Sequence, residues 1–238
     1  MTGNGIDIAR VPLDEAARAA SIVIVIDVLR AFTTAAFAFD AGAEAIVLVA
    51  DVEEAFALRE ENPDWLVMGE EGGLPVAGFD FDNSPAAFVD CDLRGRRLIQ
   101  RTSSGTEGVV RSRNARHLVG ASLCCARATV AYVSAYLSRS EPKDVTMVIT
   151  GSHEDGLGDE DLACADYLEA LIRGETPDDG RVIERVRQSR AAQKFRDPER
   201  PQFRPRDLDY AVDIDRFSFA MAVERRDGRH VMEPVRGG

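Results

Sequence analysis

The chain has 238 residues, 45% of them hydrophobic, and a formal net charge of −12. That length and apolar content suit one large domain or two small ones with a substantial core, and they exclude a disordered chain. The negative balance opposes nucleic acid and anionic membranes as partners, so an anion is held only where arginines, backbone N–H groups or a bound cation reverse the field locally.

No secretory signal is visible. The first twenty residues are mixed and polar, and the apolar run at 22–26 is too short for a signal core or a membrane span. Cys91, Cys124, Cys125 and Cys164 form no C-x-x-C pair and no zinc spacing, so they read as small buried hydrophobes, reduced thiols of a cytoplasmic protein.

In chain order, 22–26 is a continuous β-branched run, as expected of a strand covered on both faces. A helix follows over 30–41, stopped by Gly42. Residues 45–50 ("AIVLVA") form the next buried strand, and Asp51 opens a helix over 52–61 that Asn62-Pro63 ends. A short strand at 65–68 leads into "GEEGGLPVAGFDFDNSP". A strand at 98–100 leads into "RTSSGTEG" and a helix over 106–113. A strand at 117–119 precedes a helix over 123–137 that Ser122 can cap. "VTMVIT" at 145–150 is a further strand, followed by a polar loop and a helix over 160–173. Strand and helix alternate, which predicts an α/β fold with a mainly parallel sheet between helix layers. We expect a single unit over 1–238, with two closely packed α/β subdomains as the alternative.

The last third reads differently. "PDDG" at 177–180 is a turn, and 182–195 is an exposed helix rich in Arg. "RDPERPQFRPRDLD" is a Pro/Arg-rich excursion, either a surface loop or a subunit contact, which keeps a homo-oligomer open. "FAMAVERRDGRHVMEPV" is a β-hairpin turning at Asp227-Gly228.

Ligands of open α/β sheets sit beyond the carboxyl ends of the strands, and four polar loops stand at such ends. Asp27 ends the first strand, with Arg30, Thr33 and Thr34 on the helix after it: a carboxylate for a metal beside a guanidinium for a phosphate, or else a helix cap with a local ion pair. Glu70 follows the strand at 65–68, and Asp80, Asp82, Asn83 and Ser84 lie in the next loop. Such oxygen ligands suit Mg²⁺, and the bland alternative is a solvated acidic loop with an Asx turn. Thr102, Ser103, Ser104, Gly105 and Thr106 are placed to form an anion-binding nest or an ordinary helix cap. Glu160 and Asp161 open the last helix, as dipole partners, metal ligands or a general base. His153 is a candidate acid/base; His117 and His230 receive no role. The P-loop, G-x-S-x-G and G-x-G-x-x-G patterns are absent, which speaks against nucleotide triphosphatases, serine hydrolases and nucleotide-binding oxidoreductases.

The segments "VIDVLRAFTTA", "GEEGG", "GFDFDNSP", "SSGT" and "EDLACA" occur in this order across 22–165. Together they resemble the 2-phosphosulfolactate phosphatase family, the ComB-type phosphatases. The resemblance implies a ComB-like fold and a cytoplasmic, Mg²⁺-dependent hydrolase that converts (R)-2-phospho-3-sulfolactate to 3-sulfolactate and phosphate, a step of coenzyme M biosynthesis in methanogens. It implies a small anionic phosphoester as partner and neither nucleic acid nor membrane.

By position, the resemblance implies Asp27, Arg30, Glu160 and Asp161 as catalytic, Asp27, Glu70 and Asp80 as Mg²⁺ ligands, and Asn83, Ser84 and 102–106 as substrate contacts; Arg101 is a further donor for the substrate's other anions. The family commonly reads T-N-G-T where 103–106 reads Ser-Ser-Gly-Thr, so Ser104 replaces an amide with a shorter hydroxyl. Two rivals follow: a phosphatase for another small acidic phosphoester, and a non-catalytic anion-binding protein on the same fold. A covalent role for Asp27 of the haloacid-dehalogenase type is disfavoured, because Leu29 stands where those enzymes carry a second Asp.

Overall fold

The computed structural model describes residues 5–139, 143–153 and 156–236. The strands are β1 (Asp7–Pro12), β2 (Ala20–Ile26), β3 (Ala45–Val49), β4 (Leu66–Gly69), β5 (Phe81–Asp82), β6 (Arg97–Arg101), β7 (Asn114–Ala121), β8 (Asp144–Ile149), β9 (Ser152–His153), β10 (Gly156–Leu157), β11 (Phe219–Arg226) and β12 (Arg229–Arg236). The helices are α1 (Ala31–Asp40), α2 (Val52–Glu61), α3 (Gly105–Arg111), α4 (Ala126–Leu137), α5 (Asp159–Ile172), α6 (Asp179–Gln188), α7 (Arg190–Gln193) and α8 (Pro205–Ala211). The α/β, mainly parallel expectation holds. All strands except the β9–β10 ribbon join one sheet, in the order β1-β8-β2-β7-β11-β12-β3-β6-β4-β5.

The alternation of β2 shows why it is apolar throughout. Val23 and Val25 face one core with Phe32 and Ala35 of α1 and Val109 of α3. Ile22, Ile24 and Ile26 face the other, against Val133 of α4 and Leu168 of α5. Both faces are dry, so every position is hydrophobic. At the far half of the sheet, Val47, Val67 and Ile99 meet Ala55 and Leu58 of α2.

The sheet consists of two parallel halves. Strands β1, β8, β2 and β7 run together, and so do β3, β6, β4 and β5. The hairpin β11–β12 lies between them, antiparallel to β7 on one side and to β3 on the other. This placement makes the two halves run in opposite directions. In a flat sheet their carboxyl ends would sit at opposite edges. Sheets twist by roughly 20–25° per strand, so the five steps from β2 to β6 turn the second half through on the order of 100°. The curl is visible in contacts: α3, which follows β6, packs on β2, and Gln100 Nε2 of β6 donates to the Ala31 carbonyl at the start of α1, 2.9 Å away.

Two expectations change. The helix read over 182–195 is broken at Ser189, whose side chain caps α7 by accepting from Ala192 N at 3.2 Å. Val182, Val186, Ala192 and Phe195 are buried, so this stretch packs on the second core and is not an exposed helix. The Pro/Arg-rich excursion contains α8 and turns inward, with Asp207 fully buried. Strand β1, which the polar composition of the first twenty residues concealed, pairs in parallel with β8. The turn of the hairpin is as expected: Asp227 and Gly228 both have positive φ, 51° and 78°.

Met221 and Met232 of the hairpin are fully buried against α1 and its neighbours. Met232→Ala is expected to lower the unfolding free energy by about 2–5 kcal/mol, read by denaturant titration. A loss below about 1 kcal/mol would mean that the hairpin is dispensable to the sheet.

Candidate functional site

Asp27 is the first residue past β2, and its Oδ1 accepts from Ala31 N at the start of α1, 3.0 Å away. Its other oxygen lies against Gly105, where a Cβ would stand 2.8 Å from Oδ2 and 2.5 Å from the Ala31 methyl. Only glycine allows the loop after β6 to come this close to the end of β2. Ala126 and Ser122 follow β7, and the Ser122 hydroxyl shares a 2.6 Å hydrogen bond with Thr33 on α1, which fixes that helix at the sheet edge.

Asp161 ties two strand ends together. Its Oδ1 accepts from Val28 N at 2.8 Å, just after β2, and its Oδ2 from Gly151 N at 2.7 Å, just after β8. Glu160 beside it is 4% exposed, with Oε1 3.0 Å from where a Gly151 Cβ would stand. Glu70, past β4, accepts from Ser103 N at 2.6 Å through Oε1 and from Gly73 N at 2.5 Å through Oε2. Arg101 braces this loop. It donates to the Glu70 and Ala50 carbonyls and pairs with Glu71 at 3.2 Å, so its role is to hold Glu70.

Asp27, Glu70, Glu160 and Asp161 are therefore gathered from two strand ends and one helix start, each under 10% exposed. Burial, then the charges of Glu70 and Glu160, push the Asp27 carboxyl up to about 7. Burial and the charges of Glu160 and Asp27 push Asp161 well above the ordinary carboxylate range. A divalent cation would relieve this repulsion. Among the described residues no group of three or more Asp, Glu, His or Cys side chains closes around a single point. An ion held by only one or two carboxylates, with water completing its shell, is compatible with that donor set.

A second, basic lobe adjoins the first. Arg30 is the residue before α1, yet its guanidinium reaches the carboxyl third. Nη1 donates to Asp207 Oδ2 at 2.8 Å and to the Gln202 carbonyl at 2.9 Å. The group packs on Phe203 and Phe195, 4.8 and 5.4 Å from the ring centroids, and is 5% exposed. Asp207 Oδ1 accepts from Ser84 Oγ at 2.6 Å. Arg204 donates to Ser84 Oγ at 3.1 Å and to Asp82 Oδ2 at 2.9 Å. Asn83 is 5% exposed, and its Oδ1 has no hydrogen-bond partner.

The structure groups Asp27, Glu70, Glu160 and Asp161, and separately joins Arg30 to Ser84 through Asp207. Asp80 is the exception in place. It sits opposite Val67, accepting from Val67 N at 2.8 Å and pairing with Arg59 at 3.4 Å. That is three residues before Glu70, about 10 Å back along the strand, so Asp80 closes a loop onto β4 and does not join the acidic cluster. The 102–106 loop is largely self-satisfied: Thr102 N donates to Thr106 Oγ1 at 2.8 Å and Thr106 N to Thr102 Oγ1 at 3.0 Å. With Ser103 N on Glu70, the amides of Ser104 and Gly105 remain at the tip. His153 falls on β9, and its side chain lies outside the described part. His117 stacks on Tyr136 and His230 meets Arg225, both away from these loops. Sequence reading missed Asp207, Arg204 and Phe203; the only signal was that acids and aromatics interrupt an arginine-rich stretch.

A family model described as 2-phosphosulpholactate phosphatase matches residues 9–225. A "Probable 2-phosphosulfolactate phosphatase" of Bacillus subtilis strain 168 is 38% identical over 210 residues, covering 88% of this chain and 89% of that protein. Proteins of the same description from Deinococcus radiodurans and Synechocystis sp. are 38% and 39% identical, over 68% and 63% of this chain and 67% and 61% of their own lengths.

Two outcomes follow from this geometry. Because folding raises the Asp27 pKa, its contribution to stability is complete below about pH 4 and is lost as the pH rises through about 7. In metal-free protein the stability of wild type relative to Asp27→Asn should therefore fall over that window, measured by thermal unfolding at stepped pH; a constant difference would contradict the buried, repelled carboxyl. Asp207→Asn leaves the Arg30 charge buried and uncompensated, and should cost about 3–5 kcal/mol in denaturant unfolding, whereas an unchanged midpoint would show that the pair is not buried.

Proposed function

The chain belongs to the 2-phosphosulfolactate phosphatase family, and from that premise we propose that it is a Mg²⁺-dependent phosphatase that hydrolyses (R)-2-phospho-3-sulfolactate to 3-sulfolactate and phosphate. The observation that carries this reading is the pairing of a buried, mutually repelling acid cluster with an adjoining lobe of buried and half-buried arginines. A phosphate monoester bearing further anions needs both: a place for a cation on the reacting group and fixed positive charge for the rest.

Asp27 and Glu70 are the carboxylates that would hold Mg²⁺, which leaves Glu160 beside them uncommitted to the cation. Bound there, Mg²⁺ would neutralise charge on the phosphoryl oxygens as the ester bond breaks. The chain's own groups do the remainder. Ala31 N fixes one oxygen of Asp27 so that the other faces the Gly105 turn. The Ser104 and Gly105 amides and the in-plane edge of Arg30 hold phosphoryl oxygens. Glu160 orients the attacking water and takes its proton. Asp161, with both oxygens on backbone N–H groups, is a positioning residue that locks the loops after β2 and β8 in register.

Ser104 favours one alternative, a different small acidic phosphoester, because a hydroxyl reaches less far than the amide common in the family. Phosphate release measured with and without Mg²⁺, on 2-phosphosulfolactate beside other phosphorylated hydroxy acids, decides between them. Release from 2-phosphosulfolactate at least tenfold more efficient than from the others, abolished by chelator, is expected; no release from any ester sinks the reading. Arg30→Lys keeps the charge but loses the planar fork, and should lower kcat/KM by about 10²-fold in a protein that still unfolds cooperatively.

A further inference from the structure

The basic lobe holds one arginine that the reaction itself does not use. Arg204 opens α8, and its side chain is 43% exposed, in contrast to Arg30 at 4%. The two guanidinium groups are joined through Ser84 Oγ and Asp207, by contacts of 3.1, 2.6 and 2.8 Å. Arg204 is therefore fixed in direction on its inner side and open on its outer side. Lys194 Nζ lies 5.7 Å from the centre of the Phe203 ring on which Arg30 packs. Arg30 and Lys194 thus flank Phe203, while Arg204 adjoins Ser84; Asp207 pairs with Arg30 and Asp82 with Arg204. Next in the chain to Asp82, the buried Asn83 Oδ1 has no partner, so the polar wall here is incomplete within the protein. The stretch 181–206 carries nine arginines or lysines and three acids in a chain of net charge −12. Arg185, Arg187 and Arg200 of this stretch are spent on ion pairs with Asp159, Asp209 and Asp197.

We propose that Arg204 is a specificity-determining residue that binds a non-reacting anion of the substrate, a carboxylate or a sulfonate, through its open edge. The assignment rests on the phosphatase reading above. A planar guanidinium already held by two oxygens presents its remaining N–H donors at a fixed angle, which suits a bidentate oxyanion. Ser84 and Asp207 then link recognition at Arg204 to the placement of Arg30, so an ester with the second anion is held in register and a plain ester is not.

The test compares phosphate release from 2-phosphosulfolactate, 2-phospholactate and isopropyl phosphate by wild type, Arg204→Gln, Arg204→Lys and the double variant Asp82→Asn/Arg204→Gln, all with Mg²⁺. Arg204→Gln should raise KM about 10–100-fold for anion-bearing esters and shrink their advantage over isopropyl phosphate by the same factor, with partial recovery in Arg204→Lys. A loss already complete with 2-phospholactate assigns the carboxylate; a loss confined to 2-phosphosulfolactate assigns the sulfonate. An equal loss on all three esters, or a fall in kcat at unaltered KM, overturns the proposal. So does wild-type discrimination in the double variant, which would trace the effect to an unpaired Asp82. If wild type cleaves none of the esters, the phosphatase reading fails separately. Calorimetry with 3-sulfolactate then still decides, a Kd at least tenfold weaker in Arg204→Gln supporting the assignment and an equal Kd overturning it.

Discussion

The seam formed by β11 and β12 determines where everything else can be. Hydrogen bonding on both sides of this antiparallel ribbon joins two parallel half-sheets that run in opposite directions. Backbone pairing fixes their relative direction, and the accumulated right-handed twist brings their carboxyl ends back together. Asp27 at the end of β2 and Gly105 beyond β6 touch only because of that rotation. A purely parallel sheet would need no such turn, but it would also present its loops along a single open edge instead of wrapping them round one centre.

At that centre, charge is sorted. Acids collect where β2, β4 and β8 end, and burial raises the cost of keeping them ionised. Arg30 and Arg204 collect separately, with Asp207 as counter-ion and Ser84 as bridge. A protein with strong overall negative charge can bind an anion only by such local inversion, and the low dielectric of a buried lobe makes a few fixed charges effective. The fully buried Asp207 also fixes Arg30 through a 2.8 Å ion pair.

Most strands and helices were readable because their periodicity is strong: the "SIVIVI" run of β2 alternates between two dry cores, and α1 ends at a glycine as expected. Strand ends carrying Asp27, Glu70 and 102–106 were readable for the same reason. What the chain could not disclose locally was pairing between distant segments. The hairpin at 219–236 was visible as a hairpin, but nothing in its residues says that it sits mid-sheet. Asp80 looked like Glu70 in composition, yet register with Val67 puts it about 10 Å away along the strand. Asp207 lies in a sequence of arginines and prolines that reads as surface, and only the contact with Arg30, 177 residues earlier, shows it to be interior.

The central ribbon has a consequence for biogenesis. Among the described strands it follows β1 to β10 in the chain, so during synthesis the edges of β7 and β3 wait with unpaired N–H and C=O groups. Each parallel half can collapse on its own helices, but neither can seal its inner border until the ribosome has released residues 219–236. Exposed strand borders of this kind recruit other chains, so this molecule should lean on holdase chaperones late in translation more than a fold whose central strand comes first.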